Sequence, residues 1–521
     1  MKWIATIATS CRFDMTTSSS RTQRVRAGFL PLATLDPAAP MALGRQLYEW
    51  FRRAIAEGQL RPGQRVPSSR SLAREVGVSR ITVLSAYEQL QAEGYLQTFR
   101  GAGTCIATAI PESLLRRATR AAGVRQSPGG ARRLSANARR LLALPQERQL
   151  AVQGAFRVSL PALNYFPHRN WARLVARHAR GASIEDLAYG DAMGEPGLRS
   201  AIADYLCAVR AVRCDASRII ITAGSQSGLQ MAFRALLDPG QAVWVEEPGY
   251  PGVHRALALA GHEAVPVAVD AEGLNVKDGM RRRPHARAVY ITPSHQYPLG
   301  MTLSAGRRIQ LLSWAQRSGA WIIEDDYDSE YRFGGRPIAS LQGLDSDDRV
   351  IYAGTFSKML FPGLRIGYLV LPEDLVPVLR AVRDASDIFA PVLYQRVLAD
   401  FIRDGQLARH IRRMRALYAE RRTRMIAAIK EHLGRGFEIQ SAEAGMHLVV
   451  RLPHGVDDRL AAQHAAAAGI SCIALSDCCL ESPRYGGLIL GYGGVEMQQI
   501  SESMRQLARV VRSTRRRGTA A

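Results

Sequence analysis

The apolar positions near the amino terminus repeat with the period of a helix. From 43 to 55 a large apolar side chain occupies every fourth position, which predicts one helix with a single buried face. A second, short helix begins at Ser68 or Ser69 and ends at Gly77, since serine is a preferred N-cap and glycine a preferred C-cap. Ser79 then begins a third, longer helix. A short helix, a tight turn and a longer helix form the helix-turn-helix pattern.

Two short apolar segments follow the third helix. Residues 95–99 and 104–107 flank the glycine-containing stretch Arg100–Gly103, so the sequence predicts a β-hairpin of the kind called a wing. We assign the three helices and the hairpin to one predicted domain, residues 28–108, which follows a disordered tail over residues 1–27.

From about residue 151 the pattern changes to short, nearly continuous apolar segments that alternate with helical stretches. Such segments are typical of parallel strands that are covered on both faces. The predicted strands are Ile219–Thr222, Ala242–Val245, Ala288–Thr292, Trp321–Asp325, Val350–Ala353 and Ile366–Leu371. We therefore expect an α/β domain with a mainly parallel sheet over residues 151–515, joined to the first domain by an Arg-rich linker over residues 109–150.

Composition narrows the class of protein further. A chain of 521 residues is expected to contain more than one domain, because single cores rarely grow past about 250–300 residues. Hydrophobic residues at 47% and charged residues at 22% exclude wholesale disorder, and no run of about 18 apolar residues predicts a membrane span. The seven cysteines are scattered and lack zinc-site spacing, so we expect reduced thiols in a cytoplasmic protein and no metal site.

The net charge of +23 is concentrated in the first part of the chain. Residues 1–150 hold 23 Lys or Arg and 9 Asp or Glu, whereas the remaining residues hold 46 and 37. An excess of this kind favours a partner that is a polyanion such as DNA. The alternative is a coding bias toward arginine, since only four of the 69 basic residues are lysine. That scarcity makes each lysine worth attention.

The candidate DNA-contacting residues lie where helix N-termini and a glycine-rich tip would meet phosphates. Arg80 and Thr82 begin the predicted third helix, and arginine at that place can reach guanine edges in the major groove. Backbone amides at helix N-termini and beside glycines bind phosphate oxygens. The candidates are Arg65, Ser69, Arg70, Ser79, Arg80, Thr82, Arg100, Gly101 and Gly103. A helix-turn-helix with a purely structural role is the alternative.

One continuous stretch carries a family resemblance. The sequence LYEWFRRAIAEGQLRPGQRVPSSRSLAREVGVSRITVLSAYEQLQAEGYLQTFRGAGTCIA resembles the GntR-type winged helix over nearly its whole length. The resemblance implies a domain that binds double-stranded operator DNA, and it favours DNA recognition over a structural role.

Polar or glycine-rich turns follow directly after the predicted strands. In an open α/β sheet these turns converge at the carboxyl edge, where ligands bind. The turns are Gly224-Ser225-Gln226, Glu247–Tyr250, Ser294–Tyr297, Asp325–Tyr327 and Gly354–Lys358. Their residue types fit pyridoxal phosphate (PLP), which needs an amine, a carboxylate, a hydroxyl, an aromatic ring and ligands for its phosphate.

Each functional group of PLP has a candidate partner. Lys358 supplies the amine for a Schiff base with the aldehyde and is the candidate catalytic residue. Asp325, with Asp326 as the alternative, would keep the pyridine nitrogen protonated, Tyr327 would bond the phenolic oxygen, and Tyr250 would stack on the ring. The candidate phosphate ligands are Gly224, Ser225, Gln226, Ser357 and Arg365. Each residue alone has an ordinary structural explanation, and it is their joint order that favours PLP.

The same turns carry a second resemblance. The motifs ITAGSQSGLQ, VEEPGYPG, ITPSHQYPLG, IIEDDYDSEYRF and GTFSKMLFPGLRIGYLVLP resemble those of fold-type-I aminotransferases, in that family's order, and together with the winged helix they resemble the MocR/GabR-like regulators over roughly residues 40–515. The resemblance implies a homodimeric transcription regulator with bound PLP whose aminotransferase-like domain senses an amine, an amino acid or PLP itself.

Two motifs depart from the aminotransferase pattern. The Asn-Pro-Thr-Gly turn is Tyr297–Gly300 here, so His295 or Gln296 is expected to take the place of the asparagine. The late arginine that binds the substrate carboxylate is absent from GGLILGYGG, and Arg484 lies just upstream. Two alternatives to the regulator therefore stay open: an active aminotransferase with an accessory DNA-binding domain, and a DNA-binding protein whose PLP domain is only a dimer scaffold.

Overall fold

The structure is a computed structural model that describes residues 35–99, 103–108, 134–144, 153–334, 338–434, 436–440 and 443–518. The chain divides into two units, Met1–Arg133 and Leu134–Ala521. The predicted helix-turn-helix lies in the first unit, and all the predicted strands of the sheet lie in the second.

Three helices and a hairpin form the first unit, as the sequence predicts. They are α1 (Leu43–Ala56), α2 (Ser69–Glu75), α3 (Arg80–Ala92), β1 (Leu96–Phe99) and β2 (Gly103–Ile106). Of the two serines considered for the start of α2, Ser68 is the cap, because its hydroxyl accepts a hydrogen bond from the Ser71 N–H. Ser79 caps α3 in the same way by accepting from the Thr82 N–H.

The core of the first unit lies between α1, α3 and the hairpin. Phe51 of α1 and Val83 and Leu90 of α3 are fully buried, which is the face that the helical repeat predicts. The two strands of the hairpin are antiparallel and pair Phe99 with Gly103 at the end toward the tip. Gly103 has a φ of 85°, a left-handed conformation that glycine adopts without a steric cost.

The second unit consists of helices packed around two sheets. Its helices are α4 (Ala136–Ala143), α5 (His168–Arg180), α6 (Pro196–Arg210), α7 (Ser225–Leu236), α8 (Pro251–Ala260), α9 (Val276–Arg282), α10 (Ala305–Ser318), α11 (Leu341–Leu344), α12 (Val376–Asp384), α13 (Val392–Arg403), α14 (Gln406–His432), α15 (Asp458–Ala467) and α16 (Gln499–Gly518). Its strands are β3 (Ile219–Thr222), β4 (Ala242–Glu247), β5 (Glu263–Asp270), β6 (Gly273–Leu274), β7 (Ala288–Ile291), β8 (Trp321–Asp326), β9 (Val350–Thr355), β10 (Gly367–Val370), β11 (Glu438–Gln440), β12 (His447–Arg451), β13 (Ile473–Ala474) and β14 (Gly487–Gly491).

The main sheet has the strand order β3-β10-β9-β8-β7-β4-β5-β6 and a parallel centre. All six predicted strands form, and the five strands β9, β8, β7, β4 and β5 run parallel to one another. Ile322 and Ile323 of β8 point to opposite faces of the sheet and are both fully buried, so helices cover both faces.

One predicted strand runs opposite to the expected direction. β10 is antiparallel to both β3 and β9. Its sequence could not reveal this, because a strand that is buried on both faces is apolar in either direction. The reversal brings the residues that precede β10 to the same edge as the residues that follow β3 and β9.

Some strands were not predicted at all. In β5 the burial alternates and Pro266 interrupts the apolar pattern, so this strand lacks the continuous signal of its neighbours. The strands β11 to β14 form a separate antiparallel sheet with the order β11-β12-β14-β13.

Helix α4 lies within the stretch that the sequence assigns to the linker. Ser135 caps it by accepting from the Ala138 N–H, and the Asn137 amide donates to the Leu259 carbonyl of α8 at 3.2 Å. At Gly261 a Cβ would lie only 3.1 Å from the Asn137 amide nitrogen. The stretch therefore contributes a packed helix to the second unit, whereas the domain boundaries themselves stay predictions.

Candidate functional site

A cavity of about 550 Å³ opens at the carboxyl edge of the parallel strands. The predicted cofactor residues that line it are Ser225, Gln226, Tyr250, Asp325, Tyr327, Ser357, Lys358 and Arg365. This edge of the sheet is where the turns that follow the predicted strands were expected to converge. Gly224 stands just before the first of these residues, whereas His295 and Gln296 are not part of the wall.

Lys358 follows β9 and points into the cavity. Its ammonium nitrogen donates to the Ser159 carbonyl at 3.4 Å. Ser159 has a φ of 65°, a conformation that residues other than glycine rarely adopt and that recurs at functional sites. Burial lowers the pKa of Lys358 to about 8, although the Asp328 and Asp325 carboxylates oppose that change. The amine therefore has a larger neutral, nucleophilic fraction at neutral pH than an ordinary lysine.

Asp325 presents a carboxylate oxygen to the same cavity. Its side chain is buried, Oδ2 accepts a hydrogen bond from the Tyr290 hydroxyl at 2.7 Å, and Oδ1 has no hydrogen-bond partner among the described residues. Burial raises the pKa of Asp325 to about 6, while the Tyr290 hydrogen bond lowers it. A buried polar atom without a partner is costly, so Oδ1 suits a ligand that donates a hydrogen bond.

Asp326 was the alternative to Asp325, and its environment is different. It points away from the cavity, and its Oδ2 accepts from the Arg210 guanidinium at 2.8 Å, from the Tyr352 hydroxyl at 2.6 Å and from the Ser329 hydroxyl at 2.8 Å. Burial alone would lower the pKa of Arg210, but the Asp326 carboxylate raises it above its ordinary value. Asp326 is therefore one half of a buried ion pair, and Asp325 is the carboxylate that faces the cavity.

A cradle for an anion lies at the N-terminus of α7. Gly224 has a φ of 89°, and a Cβ at that position would lie 2.8 Å from a guanidinium nitrogen of Arg365. The first N–H groups of α7 have no partner within the helix, and Ser225 and Ser357 line the same cavity as Arg365. Arg365 donates to the Ala223 carbonyl at 2.9 Å, and the reversed direction of β10 is what brings it here.

Aromatic side chains form another part of the wall. Tyr250 stands at the start of α8, and its ring packs edge-on against Tyr297 with 5.8 Å between the ring centres. Tyr297 occupies the place of the aminotransferase asparagine; its turn was expected at this edge, but no role was predicted for its side chain. The other lining residues that were not predicted are Leu141, Ser159, Gln230, Arg255, Leu259, Tyr290, Thr292, Thr355 and Pro362.

The expectation that His295 or Gln296 replaces that asparagine needs correction. The Gln296 amide is used within its own turn, where it donates to the Pro248 and Tyr297 carbonyls and accepts from the Leu299 N–H. His295 lies behind the wall, where its Nδ1 is 2.9 Å from the Asp328 carboxylate and 3.0 Å from the Tyr327 hydroxyl. The structure therefore supports an indirect role for His295, which orients Tyr327.

Arg484 does not reach the cavity. It lines a separate space of about 120 Å³ together with Glu247, Arg282 and Tyr485. The corresponding stretch of β14, Leu488 and Ile489, is fully buried in the second sheet. Neither place supplies the carboxylate-binding arginine of the classical pattern.

These features fit PLP. The Asp325 oxygen without a partner matches a protonated pyridine nitrogen, and Lys358 offers an amine of lowered pKa. The cradle beside Gly224 would be filled by any Cβ, so it admits a phosphate close to the backbone.

The first unit presents a second candidate site on α2 and α3. Arg65, Arg70, Ser79 and Arg80 are exposed, and the Arg80 guanidinium donates to the Ser69 hydroxyl at 3.4 Å. Sequence reasoning missed Ile81, whose side chain is 78% exposed on α3 and could contact a thymine methyl group. Arg100 and Gly101 lie outside the described residues.

Comparisons with known proteins match both units of the chain. The bacterial regulatory proteins of the gntR family match residues 43–106, and aminotransferase class I and II matches residues 162–484. The chain is 40% identical over 478 residues to the probable rhizopine catabolism regulatory protein MocR of Rhizobium meliloti, covering 91% of this chain and 95% of that protein. The chain belongs to the MocR/GabR-type regulators of the GntR family.

Other relatives of this MocR-type chain are consistent with that family. It is 34% identical over 471 residues to the HTH-type pyridoxine biosynthesis transcriptional regulator PdxR of Corynebacterium glutamicum, covering 89% of this chain and 94% of the relative. Its fold matches LysN, the α-aminoadipate aminotransferase of Thermus thermophilus complexed with N-(5'-phosphopyridoxyl)-L-leucine, with a TM-score of 0.68 and 26% identity over 73% of this chain and 97% of that one. The aminotransferase class I and II fold of this MocR-type regulator implies PLP as its cofactor.

Two further observations concern the described part of this MocR-type chain. None of its helices there is long and apolar enough to cross a membrane. The same residues include no group of three or more His, Cys, Asp or Glu side chains that could hold a metal ion.

Proposed function

We propose that this transcription regulator binds operator DNA through the first unit and holds PLP in the cavity of the second, where an amine or amino acid acts as effector. The observation that carries the proposal is the pairing, in one cavity, of a lysine amine of lowered pKa with a buried carboxylate oxygen that has no partner among the described residues. The chain also carries a winged helix with exposed arginines at its helix N-termini.

Each cofactor-binding residue has a distinct role in this proposal. PLP, when bound, supplies an aldehyde carbon to which amines add and a pyridine ring that withdraws electrons. Lys358 binds the aldehyde, Asp325 holds a proton on the ring nitrogen, and Tyr327 donates to the phenolic oxygen while His295 orients it. Tyr250 packs on the ring, and the phosphate is bound by the cradle of Gly224, Ser225, Gln226, Ser357 and Arg365.

The proposal also includes a homodimer. Oligomers of identical chains usually have two-fold symmetry, and two winged helices related by such an axis match the paired half-sites of an operator. An amine that displaces Lys358 from the cofactor would change the charge and the contacts inside the cavity. If the amine favours one of two conformations of the protein, its binding also shifts the affinity of the protein for DNA. Sedimentation of the PLP-loaded protein and operator titrations with and without amines test these two points.

An active aminotransferase is the second candidate function, because the residues that would act on the cofactor are complete. Carboxylate binding by the usual late arginine is missing, since Arg484 lies in a separate space. Steady-state conversion of amino acids with a 2-oxo acid separates the candidates: sustained turnover supports the enzyme, and its absence together with an effector-dependent operator affinity supports the regulator.

We expect Arg80→Ala to weaken specific operator binding by about 1–3 kcal/mol, because Arg80 begins the recognition helix and its guanidinium is exposed. The measurement is a titration of operator DNA chosen by selection in vitro. Arg234→Ala, which removes an exposed arginine from α7 of the second unit, serves as the control and should bind like the wild type. Equal operator affinity for Arg80→Ala and the wild type would contradict the placement of α3 in the major groove.

We expect Asp325→Asn to retain PLP about 10- to 100-fold more weakly and to lose any amino-group transfer to the cofactor, since a neutral amide cannot stabilise a protonated pyridine nitrogen. Equilibrium dialysis gives the PLP dissociation constant, and stopped-flow absorbance with an added amino acid gives the transfer rate. Tyr290→Phe, which removes only the hydrogen bond to Oδ2, is the matched control and should lower the PLP affinity and the transfer rate less than Asp325→Asn does. Unchanged PLP affinity and transfer rate in Asp325→Asn would refute the role of this carboxylate.

A further inference from the structure

A second cavity of the same unit lies where the first turns of α14 meet the start of α5. Its volume is about 170 Å³, and it shares no lining residue with the PLP cavity. The residues that line it are Pro167, Asn170, Gln406, Arg409, His410 and Arg413. The wall that the structure describes thus contains two arginines and no Asp or Glu. This charge favours a negatively charged ligand.

The two arginines keep most of their hydrogen-bond donors for a ligand. Arg409 and Arg413 are exposed and lie one turn apart on α14, so both belong to the same face of the helix. Arg409 donates to the Asp404 carbonyl at 3.0 Å, and the Arg413 guanidinium lies 5.8 Å from the centre of the Tyr165 ring. Neither forms an ion pair with a carboxylate in the described part of the chain. A guanidinium has five N–H donors, so both can bind the oxygens of an anion.

The start of α14 adds positive charge to the same place. This helix of 27 residues begins at Gln406, and its N-cap is Gly405, which has no side chain to accept from the first N–H groups. The first turn of a helix carries a partial positive charge, and here no side chain caps it. Gln406 lines the cavity, so this end of the helix borders it.

Two polar atoms of the wall are buried without a partner. Nδ1 of His410 and Oε1 of Gln406 have no hydrogen-bond partner among the described residues, and the His410 side chain is only 6% exposed. A buried polar atom without a partner is costly. Because both residues line the cavity, the two atoms indicate a ligand that forms hydrogen bonds with them.

Both of these atoms are hydrogen-bond acceptors. Burial lowers the pKa of His410 to about 4, the Arg413 charge lowers it as well, and a hydrogen bond with the Met359 backbone raises it. A backbone group that favours the protonated ring is a carbonyl, so the ring donates to Met359 through Nε2. In a neutral imidazole the other nitrogen, Nδ1, is then an acceptor, as is the amide oxygen of Gln406. The ligand therefore has to supply a hydrogen as well as negative charge.

We infer that this cavity binds hydrogenphosphate, with Arg409 and Arg413 binding its charged oxygens and with its hydroxyl donating to the acceptors on His410 and Gln406. Sulfate has the same shape but carries no hydroxyl at neutral pH. A phosphate monoester loses its last hydroxyl above about pH 6, whereas free phosphate keeps one. The site is separate from the cradle proposed for the PLP phosphate, and it does not require that PLP be bound.

The test is calorimetric titration of the PLP-loaded full chain with inorganic phosphate, sulfate and methyl phosphate. Loading with PLP keeps the cradle beside Gly224 occupied. The titrations are carried out at constant ionic strength and about pH 8, where free phosphate alone among the three carries a hydroxyl. We expect phosphate to bind about 10- to 100-fold more tightly than sulfate or methyl phosphate, the range of one hydrogen bond to a charged group.

Four variants locate the site. Arg409→Gln and Arg413→Gln should each lower the phosphate affinity about 10-fold or more, because each removes a charged donor. Arg412→Gln is the matched control, since Arg412 is exposed on the same helix but does not line the cavity, and it should bind phosphate like the wild type. Gln406→Met keeps the length of the side chain and removes an acceptor, so it should reduce the preference for phosphate over sulfate and leave the sulfate affinity within about twofold.

Three results would overturn the inference. The first is a wild type that binds phosphate no more tightly than sulfate. The second is phosphate binding that is lost in Arg365→Gln and kept in Arg409→Gln and Arg413→Gln, which would place the anion in the PLP cradle. The third is a wild type that binds no phosphate, while these two variants weaken the binding of duplex DNA of arbitrary sequence, which would make the surface a contact for the DNA backbone.

Discussion

Lys358→Ala is expected to abolish covalent attachment of PLP and the response to effector while leaving operator binding in place. The amine of Lys358 is the group that bonds the aldehyde, whereas the phosphate contacts at Ser225, Ser357 and Arg365 remain and hold the cofactor more weakly. Operator binding should persist because the winged helix has its own buried core in the other unit. The response to amines should vanish because exchange at Lys358 is the step that would distinguish two states of the protein.

Mass spectrometry after borohydride reduction checks the first part of this prediction, and an operator titration with and without PLP and amine checks the second. Lys277→Ala is the matched control, because it removes another lysine of the second unit that does not line the cavity. Label on Lys277 or Lys430 of the wild type would refute the whole site assignment. A Lys358→Ala protein that responds to amines like the wild type would leave the site intact but would refute exchange at Lys358 as the switch.

Asp326→Ala is expected to lower the free energy of unfolding by about 3–5 kcal/mol, because it leaves the Arg210 guanidinium buried without its carboxylate. Both side chains of this pair are nearly inaccessible, at 4% for Arg210 and 2% for Asp326. The Tyr352 and Ser329 hydroxyls lose their acceptor in the same variant. The change in the free energy of unfolding is measured by urea titration in the absence of PLP, with circular dichroism as the signal.

Glu481→Ala provides the comparison for a solvent-exposed pair. Glu481 pairs with Arg282, and the two side chains are 50% and 31% exposed. Exposed ion pairs contribute at most about 1 kcal/mol, so this variant should unfold near the wild-type midpoint. If Asp326→Ala lowers the free energy of unfolding no more than Glu481→Ala does, the Arg210–Asp326 pair does not stabilise the fold as the geometry indicates.

The local signals in the sequence were sufficient for much of this fold. The four-residue repeat of α1 and the serine before α3 predict the winged helix, and apolar segments predict six strands of the main sheet. The direction of β10 was not predictable, because its pairing with β3 joins segments that are far apart in the chain. For the same reason the second sheet, whose strands come from three separate stretches near the carboxyl terminus, left no visible pattern.

The candidate site was predictable wherever a functional residue follows a strand. Asp325, Lys358 and Ser225 are found in this way, since parallel strands end at one edge. Tyr290 was not predicted to line the cavity, because it lies within β7 and resembles an ordinary core residue. Arg255 was not predicted either, because it lies in the second turn of a helix rather than directly after a strand. Gln296 was misplaced because the sequence does not show that its amide is used within its own turn.

The position of α4 determines where this protein can be divided. A fragment that begins at residue 151, the predicted start of the cofactor domain, keeps every residue proposed to hold PLP but lacks Leu141 and the helix that carries it. A fragment that begins at Leu134 keeps that wall of the cavity. In chimeras between relatives, α4 therefore has to be transferred with the cofactor-binding unit rather than with the DNA-binding unit. Otherwise the hybrid combines the PLP-binding residues of one parent with the α4 part of the cavity wall of the other, a pocket that neither parent had.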